Sequence, residues 1–426
     1  MNKDFVDERI EKGIEENRKG DVTIVFKKSD GSAVDNVKIT AELKRHDFHF
    51  GANLFMLDEL ETEEKNEKYK EAFASLFNYA TLPFYWRDLE PEKGKPRYAE
   101  DSPKIYRRPP IDLCLNWCKA NDITPKEHCL NYDQWIPDWI DKNNTEEQKH
   151  YLEKRFASLS EHYADKIEDW EVTNETFYDK EPSSFYFDDN YVEWSFETAE
   201  KYFKNNKLVI NEAMDATWIL FRGNRTQYYM QIEKLLKEGR RIDKIGMQYH
   251  MFWPREDAME YLNLAYDLKR FYKVLDKFSE FERPLQITEI TIPAYSLSAD
   301  DEQLQADIIT RLYSLWFSHK NMDAITYWNL PDGYAAYAPQ GTEEGENYYH
   351  GGLLRYDLSK KPAYYALDEL INKKWHTKAE GNSKNGEFSF RGFYGEYELT
   401  CEANGKTVKK TVSFTKDTQG AITVEI

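Results

Sequence analysis

Short apolar runs recur along the middle of the chain, at 48–52, 79–84, 124–130, 167–174, 207–211, 244–250, 285–289 and 324–328. Each has the length and composition of a parallel strand buried on both faces. Stretches with apolar residues at helical spacing lie between them. One gathers Tyr69, Ala72, Phe73 and Leu76 on a single face, and another starts at Thr145 with Gln148 at the capping-box offset. The second turns Leu152, Phe156, Leu159 and Tyr163 inward. Eight strand-then-helix units over about 330 residues predict an α/β chain folded as a (β/α)8 TIM barrel, with its active site at the C-terminal strand ends. A doubly wound open sheet shares the local pattern, but its glycine-rich phosphate loop is missing from the sequence.

The two ends of the chain read differently. Residues 5–18 predict a charged helix, and alternating runs at 22–27 and 37–43 flank the turn signal Ser29-Asp30-Gly31-Ser32, predicting a two-stranded hairpin. Beyond a last helix ending near Trp375, short runs at 387–391, 397–402, 407–414 and 421–426 are split by turn residues such as Asn404-Gly405. The expected division is 1–45 for helix and hairpin, 46–376 for the barrel and 377–426 for a β module. Neither end buries enough apolar area alone, so the two are expected to join in one small accessory β-sandwich.

With 426 residues, 40% of them hydrophobic, the chain can build one large domain and a small one. Its 11 Trp and 30 Tyr supply flat apolar faces with a polar handle, which suit sugar rings as well as cores. The 58 basic and 77 acidic residues leave a net charge of −19, which argues against nucleic acid and anionic membranes as partners. No apolar run is long enough to span a membrane. Residues 1–20 are charged and have no apolar h-region, so a cytoplasmic protein is expected, or a secreted one whose signal has been removed. Cys114, Cys118, Cys129 and Cys401 form no metal-type pairs and read as reduced, buried thiols. A monomer without metal or cofactor is expected.

Candidate chemistry lies at two strand ends. The run from Asp169 to Tyr178 delivers Asn174 and Glu175, and the run from Leu285 delivers Glu289. Two carboxylates at matching strand positions are the minimum equipment for cleaving a glycosidic bond by acid and nucleophile, with retention when they stand ~5–5.5 Å apart. Glu175 as acid must be protonated at rest, its pKa raised by apolar neighbours and by the charge of Glu289, which must be ionised to attack. Asn174 can bond a sugar 2-hydroxyl, while Gln248 and His250 on a neighbouring strand can hold Glu289.

From His46 to Leu370 the chain resembles glycoside hydrolase family 10, the xylanase-type family with a retaining mechanism on a (β/α)8 barrel. Trp170-Glu171-Val172-Thr173-Asn174-Glu175 is similar to the family's acid/base motif and Ile287-Thr288-Glu289-Ile290 to its nucleophile motif. Residues 242–250 resemble the sixth-strand motif with its Gln and His, and 208–212 the fifth-strand motif. Trp328 and Asp332, Gly352-Leu353-Leu354, and Lys361-Pro362-Ala363-Tyr364 are similar to the closing segments. In the third-strand motif His128, Leu130, Pro137 and Trp139 match, while Tyr132-Asp133 stand for Trp-His and Trp135 for Gln. The resemblance implies Glu175 and Glu289 as catalytic, and His128, Trp139, Asn174, Asn211, Gln248, His250 and Trp328 as substrate-binding. The second-strand motif departs. Phe77-Asn78, Thr81, Glu90-Pro91 and Gly94 fit, but Leu82-Pro83-Phe84-Tyr85-Trp86 replaces the segment whose Asn and Lys hold the xylose beyond the cleavage point.

The resulting expectation is a retaining glycoside hydrolase, endo-1,4-β-xylanase-like, acting on a β-linked saccharide. One rival is a β-glycosidase with a different β-linked substrate in a more closed pocket. Another is a non-catalytic carbohydrate-binding protein, which would predict loss of one carboxylate. A phosphate-binding metabolic barrel would need a Schiff-base Lys or a glycine-rich phosphate site at the seventh and eighth strands, and the sequence has neither there.

Overall fold

The computed structural model describes residues 5–178, 182–257, 267–336, 338–403 and 405–426. Two compact units divide the chain. The larger holds Phe50–Leu312 and Asn321–Tyr365, and the smaller holds Met1–His49, Tyr313–Lys320 and Ala366–Ile426.

The strands in chain order are β1 (Lys19–Lys27), β2 (Lys38–His46), β3 (His49–Asn53), β4 (Tyr79–Pro83), β5 (Thr124–His128), β6 (Asp169–Asn174), β7 (Lys207–Glu212) and β8 (Lys244–His250). They continue with β9 (Leu285–Thr291), β10 (Met322–Tyr327), β11 (Lys378–Asn382), β12 (Glu387–Phe393), β13 (Gly395–Ala403), β14 (Lys406–Phe414) and β15 (Ile422–Glu425). Strands β3 to β10 close into a barrel in sequence order. Every residue of β6 and β9 is buried, as continuous apolar runs require when both faces are covered. The helix Glu63–Leu76 buries the four residues expected of it, and its Thr62 cap accepts from the Lys65 amide. The helix Thr145–Tyr163 buries its expected face, but its cap is Asn144, which accepts from the Glu147 amide. Gln148 is therefore no capping-box residue. It is buried, and its amide donates to the Asp141 carbonyl at 3.1 Å.

A polar plug closes the N-terminal end of the barrel. Lys244, the first residue of β8, pairs with Asp169, the first of β6, at 2.9 Å and with Asp323 at 2.7 Å. Tyr79 and Gln286 also donate to Asp169, at 2.6 and 2.9 Å. Burial opposes the charge on Lys244, but the two aspartates outweigh it and push its pKa up.

In the smaller unit, β12-β1-β15 form one sheet and β11-β2-β13-β14 another. The accessory β structure is thus built from both chain ends, as the sequence predicts. The hairpin is not formed. β1 pairs with β12 and β15 while β2 pairs with β11 and β13, and only a single bridge, Lys27 to Ala33, remains near the predicted turn. A two-stranded ribbon would leave one apolar face in water. With the strands in separate sheets, Val22, Ile24 and Phe26 of β1 and Ile39, Ala41 and Leu43 of β2 are all buried, and Phe390 and Tyr397 meet between the sheets at 5.6 Å. Strand β11 escapes the sequence reading because Lys-Ala-Glu-Gly-Asn has no apolar alternation. Asn404 of the predicted turn lies outside the described residues. The four cysteines are buried free thiols, and among the described residues no helix is long and apolar enough to cross a membrane.

Replacing Lys244 with Met leaves Asp169 and Asp323 facing each other without a cation. The expected cost is about 3–5 kcal/mol of stability, read by urea denaturation, with little change in the environment of the distant strand ends. A loss below ~1 kcal/mol would show that the plug is not a buried ion cluster.

Candidate active site

The barrel interior changes character toward the C-terminal ends of its strands, where polar side chains accumulate around Asn211. Its Nδ2 lies 3.1 Å from Glu171 Oε1, 2.8 Å from Asn174 Oδ1 and 3.1 Å from Glu289 Oε1, and its Oδ1 accepts from the Thr288 hydroxyl at 2.6 Å. Thr288 and Glu289 are consecutive, yet both reach the same amide. Strict alternation forbids that, and the register shift between β8 and β9 at Met247/Gln248 supplies the extra residue. A similar shift between β6 and β7 lets Glu171 and Asn174 share the hub. Gly246 belongs to the same arrangement, because a Cβ there would stand 2.6 Å from Asn211 Oδ1.

Glu289 is buried inside β9, two residues before its end, rather than at the strand terminus. His250 Nε2 lies 3.1 Å from its Oε2, and His250 Nδ1 lies 2.9 Å from the Thr291 hydroxyl. Burial lowers the His250 pKa to about 4, so the ring is neutral at pH 7. A neutral ring has one N–H. When Glu289 is ionised, its acceptor-only carboxylate places the proton on Nε2, and Nδ1 accepts from Thr291. Burial also pushes the Glu289 carboxyl up to about 8, His128 opposing this and the charges of Glu171 and Glu175 adding to it. The expected upward shift is therefore found at Glu289, the more deeply buried carboxyl.

Glu175 follows directly on β6 and takes a left-handed backbone, φ +51°. That turn ends the strand and lifts the carboxylate to the barrel mouth. Gln248 donates to its Oε1 at 3.0 Å and also to Asn174 Oδ1 at 3.1 Å. The Tyr132 hydroxyl donates to Oε2 at 2.5 Å. A chain of amides, Gln248 to Asn174 to Asn211, thus links the two carboxyls. Below them Glu171 is fully buried against Lys126 at 2.5 Å and His128 at 2.8 Å. Burial works to raise its pKa, but Lys126 and His128 prevail and hold it at about 2.

Glu175, Glu289, His128, Asn174, Gln248, His250 and Trp328 all line one cavity of about 280 Å³ at the barrel mouth. Asn211 lies behind the wall, where it can position but not touch a ligand. Trp139 does not line this cavity. Its indole N–H donates to the Glu90 carbonyl at 2.9 Å, and its ring packs edge-on against Trp86 and Tyr151. Trp135 lines the wall instead, beside Tyr85 at 4.6 Å between ring centres. Asp133 also turns away, accepting from the backbone and hydroxyl of Ser183.

The sequence reading missed Arg107, Arg108, Asp215, Tyr178 and Glu346, all on the cavity wall. Arg107, Arg108 and Tyr178 come from loops, and Asp215 and Glu346 from the short helical segments Asp215–Ile219 and Gly345–Tyr349, where no long periodicity marks them. Tyr85 was noticed only as part of a departure; its hydroxyl meets His128 Nε2 at 2.9 Å and its ring underlies the Arg108 guanidinium at 4.0 Å.

The profile of glycosyl hydrolase family 10 matches residues 43–370. The anti-sigma-I factor RsgI6 of Acetivibrio thermocellus is 25% identical over 417 residues, 94% of this chain and 47% of its own length. Endo-1,4-beta-xylanase 1 of Arabidopsis thaliana is 24% identical over 96% of this chain and 39% of its own length, so the chain spans less than half of each. Endo-1,4-beta-xylanase B of Thermotoga neapolitana is 25% identical over 72% of this chain and 84% of its own. Among solved structures, xylanase 10B of Thermotoga petrophila in complex with xylobiose superposes with a TM-score of 0.62 at 21% identity, covering 77% of this chain and 95% of that one. At that identity the likeness is one of fold.

The raised Glu289 carboxyl has a thermodynamic consequence. The unfolded chain ionises this group near ~4.3, the folded chain near 8. Stability on this account is full below the unfolded value and falls as pH rises through the window between them. Glu289→Gln is expected to raise Tm at pH 8 and to leave it nearly unchanged at pH 4, by differential scanning fluorimetry. An equal shift at both values would show that ionisation of Glu289 does not carry the effect.

Proposed function

The chain belongs to glycosyl hydrolase family 10, and on that premise we propose that it hydrolyses β-glycosidic bonds with retention, Glu175 as acid/base and Glu289 as nucleophile. The observation that carries this reading is the differential bonding of the two carboxyls. Glu289 receives N–H donors from Asn211 and His250, which favour an anion, while Glu175 sits at the mouth beside Gln248 and Tyr132. Glu175 gives its proton to the leaving oxygen as the C1–O bond breaks and Glu289 attacks C1. Glu175 then takes a proton from water, which displaces Glu289 from the glycosyl ester. A carbohydrate-binding role without turnover has less support, since neither carboxylate nor its donors are lost.

His128 stands 4.0 Å from Glu289, and Tyr85 and Arg108 follow it outward, so this side of the cavity holds the glycone. Tyr178 and Asp215, bonded to each other on the Glu175 side, face the leaving group. The leading substrate class is a β-1,4-xylan fragment, in keeping with the xylanases among the relatives. A different β-linked glycone is the second reading, favoured by one observation: Leu82 and Phe84 are buried away from the cavity and Tyr85 fills the wall where an amide and an ammonium would otherwise meet a second xylose.

Two measurements test this function. Glu175→Ala should lose turnover of unactivated glycosides and recover it on an activated aryl glycoside with azide, yielding a β-glycosyl azide by NMR, while Glu289→Ala stays inactive. Near-normal turnover of an unactivated substrate by Glu175→Ala would overturn the acid assignment. For the glycone wall, kcat/KM on an aryl xylobioside should exceed that on the aryl xyloside by well under about a hundredfold, or ~2.7 kcal/mol. A larger gain would reveal a working second xylose subsite.

A further inference from the structure

Arg107 is a buried cation on the cavity wall that forms no ion pair among the described residues. It lines the cavity, is 3% exposed and has a left-handed backbone, φ +62°. Its Nη1 donates to the Tyr334 carbonyl, but Nε is buried without any hydrogen-bond partner and no bond to Nη2 is present among the described residues. Nε has no surface open to the cavity, so Nη2 is the N–H group left to give a charge-assisted bond to a ligand anion.

Among the described residues no carboxylate bonds to Arg107. Arg108, next to it, is paired with Asp88 at 2.8 Å and so keeps Asp88 from Arg107. Glu346 faces Arg107 across the same cavity and attracts it through space, but among the described residues it forms no ion pair with it. Burying an uncompensated cation costs several kcal/mol, and the neighbouring positive charge of Arg108 adds to the cost. The ring of Phe55, 5.5 Å from the Arg107 guanidinium, supplies only a cation–π contact. A ligand anion would complete the site.

Resting on the glycosidase reading above, we propose that the preferred glycone carries a carboxylate, as in a β-linked uronic acid, and that Arg107 binds it. Two positions in the structure support this placement. Arg107 is on the Glu289 side of the cavity with His128 and Tyr85, where the glycone lies. Asp215, which would repel an anion, stands on the leaving-group side, and Glu346, the carboxylate facing Arg107, has its Oε2 accepting from the Asn329 amide at 3.4 Å.

The test compares aryl β-D-glucuronide with aryl β-D-glucoside and β-D-xyloside on the full chain. A charge-assisted contact predicts kcat/KM higher for the glucuronide by roughly ten- to a hundredfold. Arg107→Lys, which keeps the charge but not the planar guanidinium, should lose part of that ratio, and Arg107→Gln all of it. Neutral glycosides turned over as well as the glucuronide by the wild-type protein would overturn the inference and leave the glycosidase reading intact. Absence of turnover on any glycoside would count against that reading. Calorimetric binding of glucuronate-containing against glucose-containing disaccharides to Glu175→Gln then decides the inference independently, equal affinities overturning it. If both Arg107 variants fail to fold, the wild-type substrate ratio and this binding comparison still decide.

Discussion

One buried amide sets the geometry on which the candidate site depends. Asn211 touches side chains from β6 and β9 at once, and both faces of its amide are used. A barrel interior this dry cannot hold free carboxylates, so every acidic group there must be given donors or a proton. Asn211 and Lys126 supply donors to Glu171, and Asn211 and His250 supply them to Glu289. The result is a graded column of carboxyls: Glu171 held firmly as an anion deep in the barrel, Glu289 above it with a raised pKa, and Glu175 at the mouth. Because each layer orients the next, the register shifts in β6 and β9 are part of the site. Without them Thr288 and Glu289 could not face one amide.

The same logic explains the ends of the barrel. At the N-terminal end Lys244 is paired with two aspartates. At the C-terminal end polar groups line the cavity, and Arg107 there has no ion pair among the described residues.

The aromatic residues follow a division that composition alone does not show. Trp139, in the segment that looks most like a binding motif, is spent on packing and on a backbone carbonyl. Trp135, Tyr85 and Trp328 form the wall, joined with Phe55 in one cluster whose outer face carries Arg108. The side proposed to hold the glycone is an aromatic surface topped by guanidinium groups. It differs in chemistry from the amide and ammonium of the family's second-strand motif.

What the sequence determined by itself is the eight-strand repeat, the helix faces and the carboxylates with their immediate neighbours. Those depend on local periodicity and on residues adjacent in the chain: Asn174 beside Glu175, Gln248 two residues before His250, and Glu289 in an apolar run. The accessory β structure was legible in composition, but its pairing was not, since β1 and β2 separate into two sheets to share one core and no local turn signal encodes that choice. Cavity and packing also had to await the fold. Whether Trp135 or Trp139 lines the cavity depends on which ring neighbouring helices cover, and Arg107, Asp215 and Glu346 reach the cavity from a loop and two short helical segments distant in sequence. Side-chain periodicity reports which face is buried, but the partners of a buried charge are set only by tertiary approach.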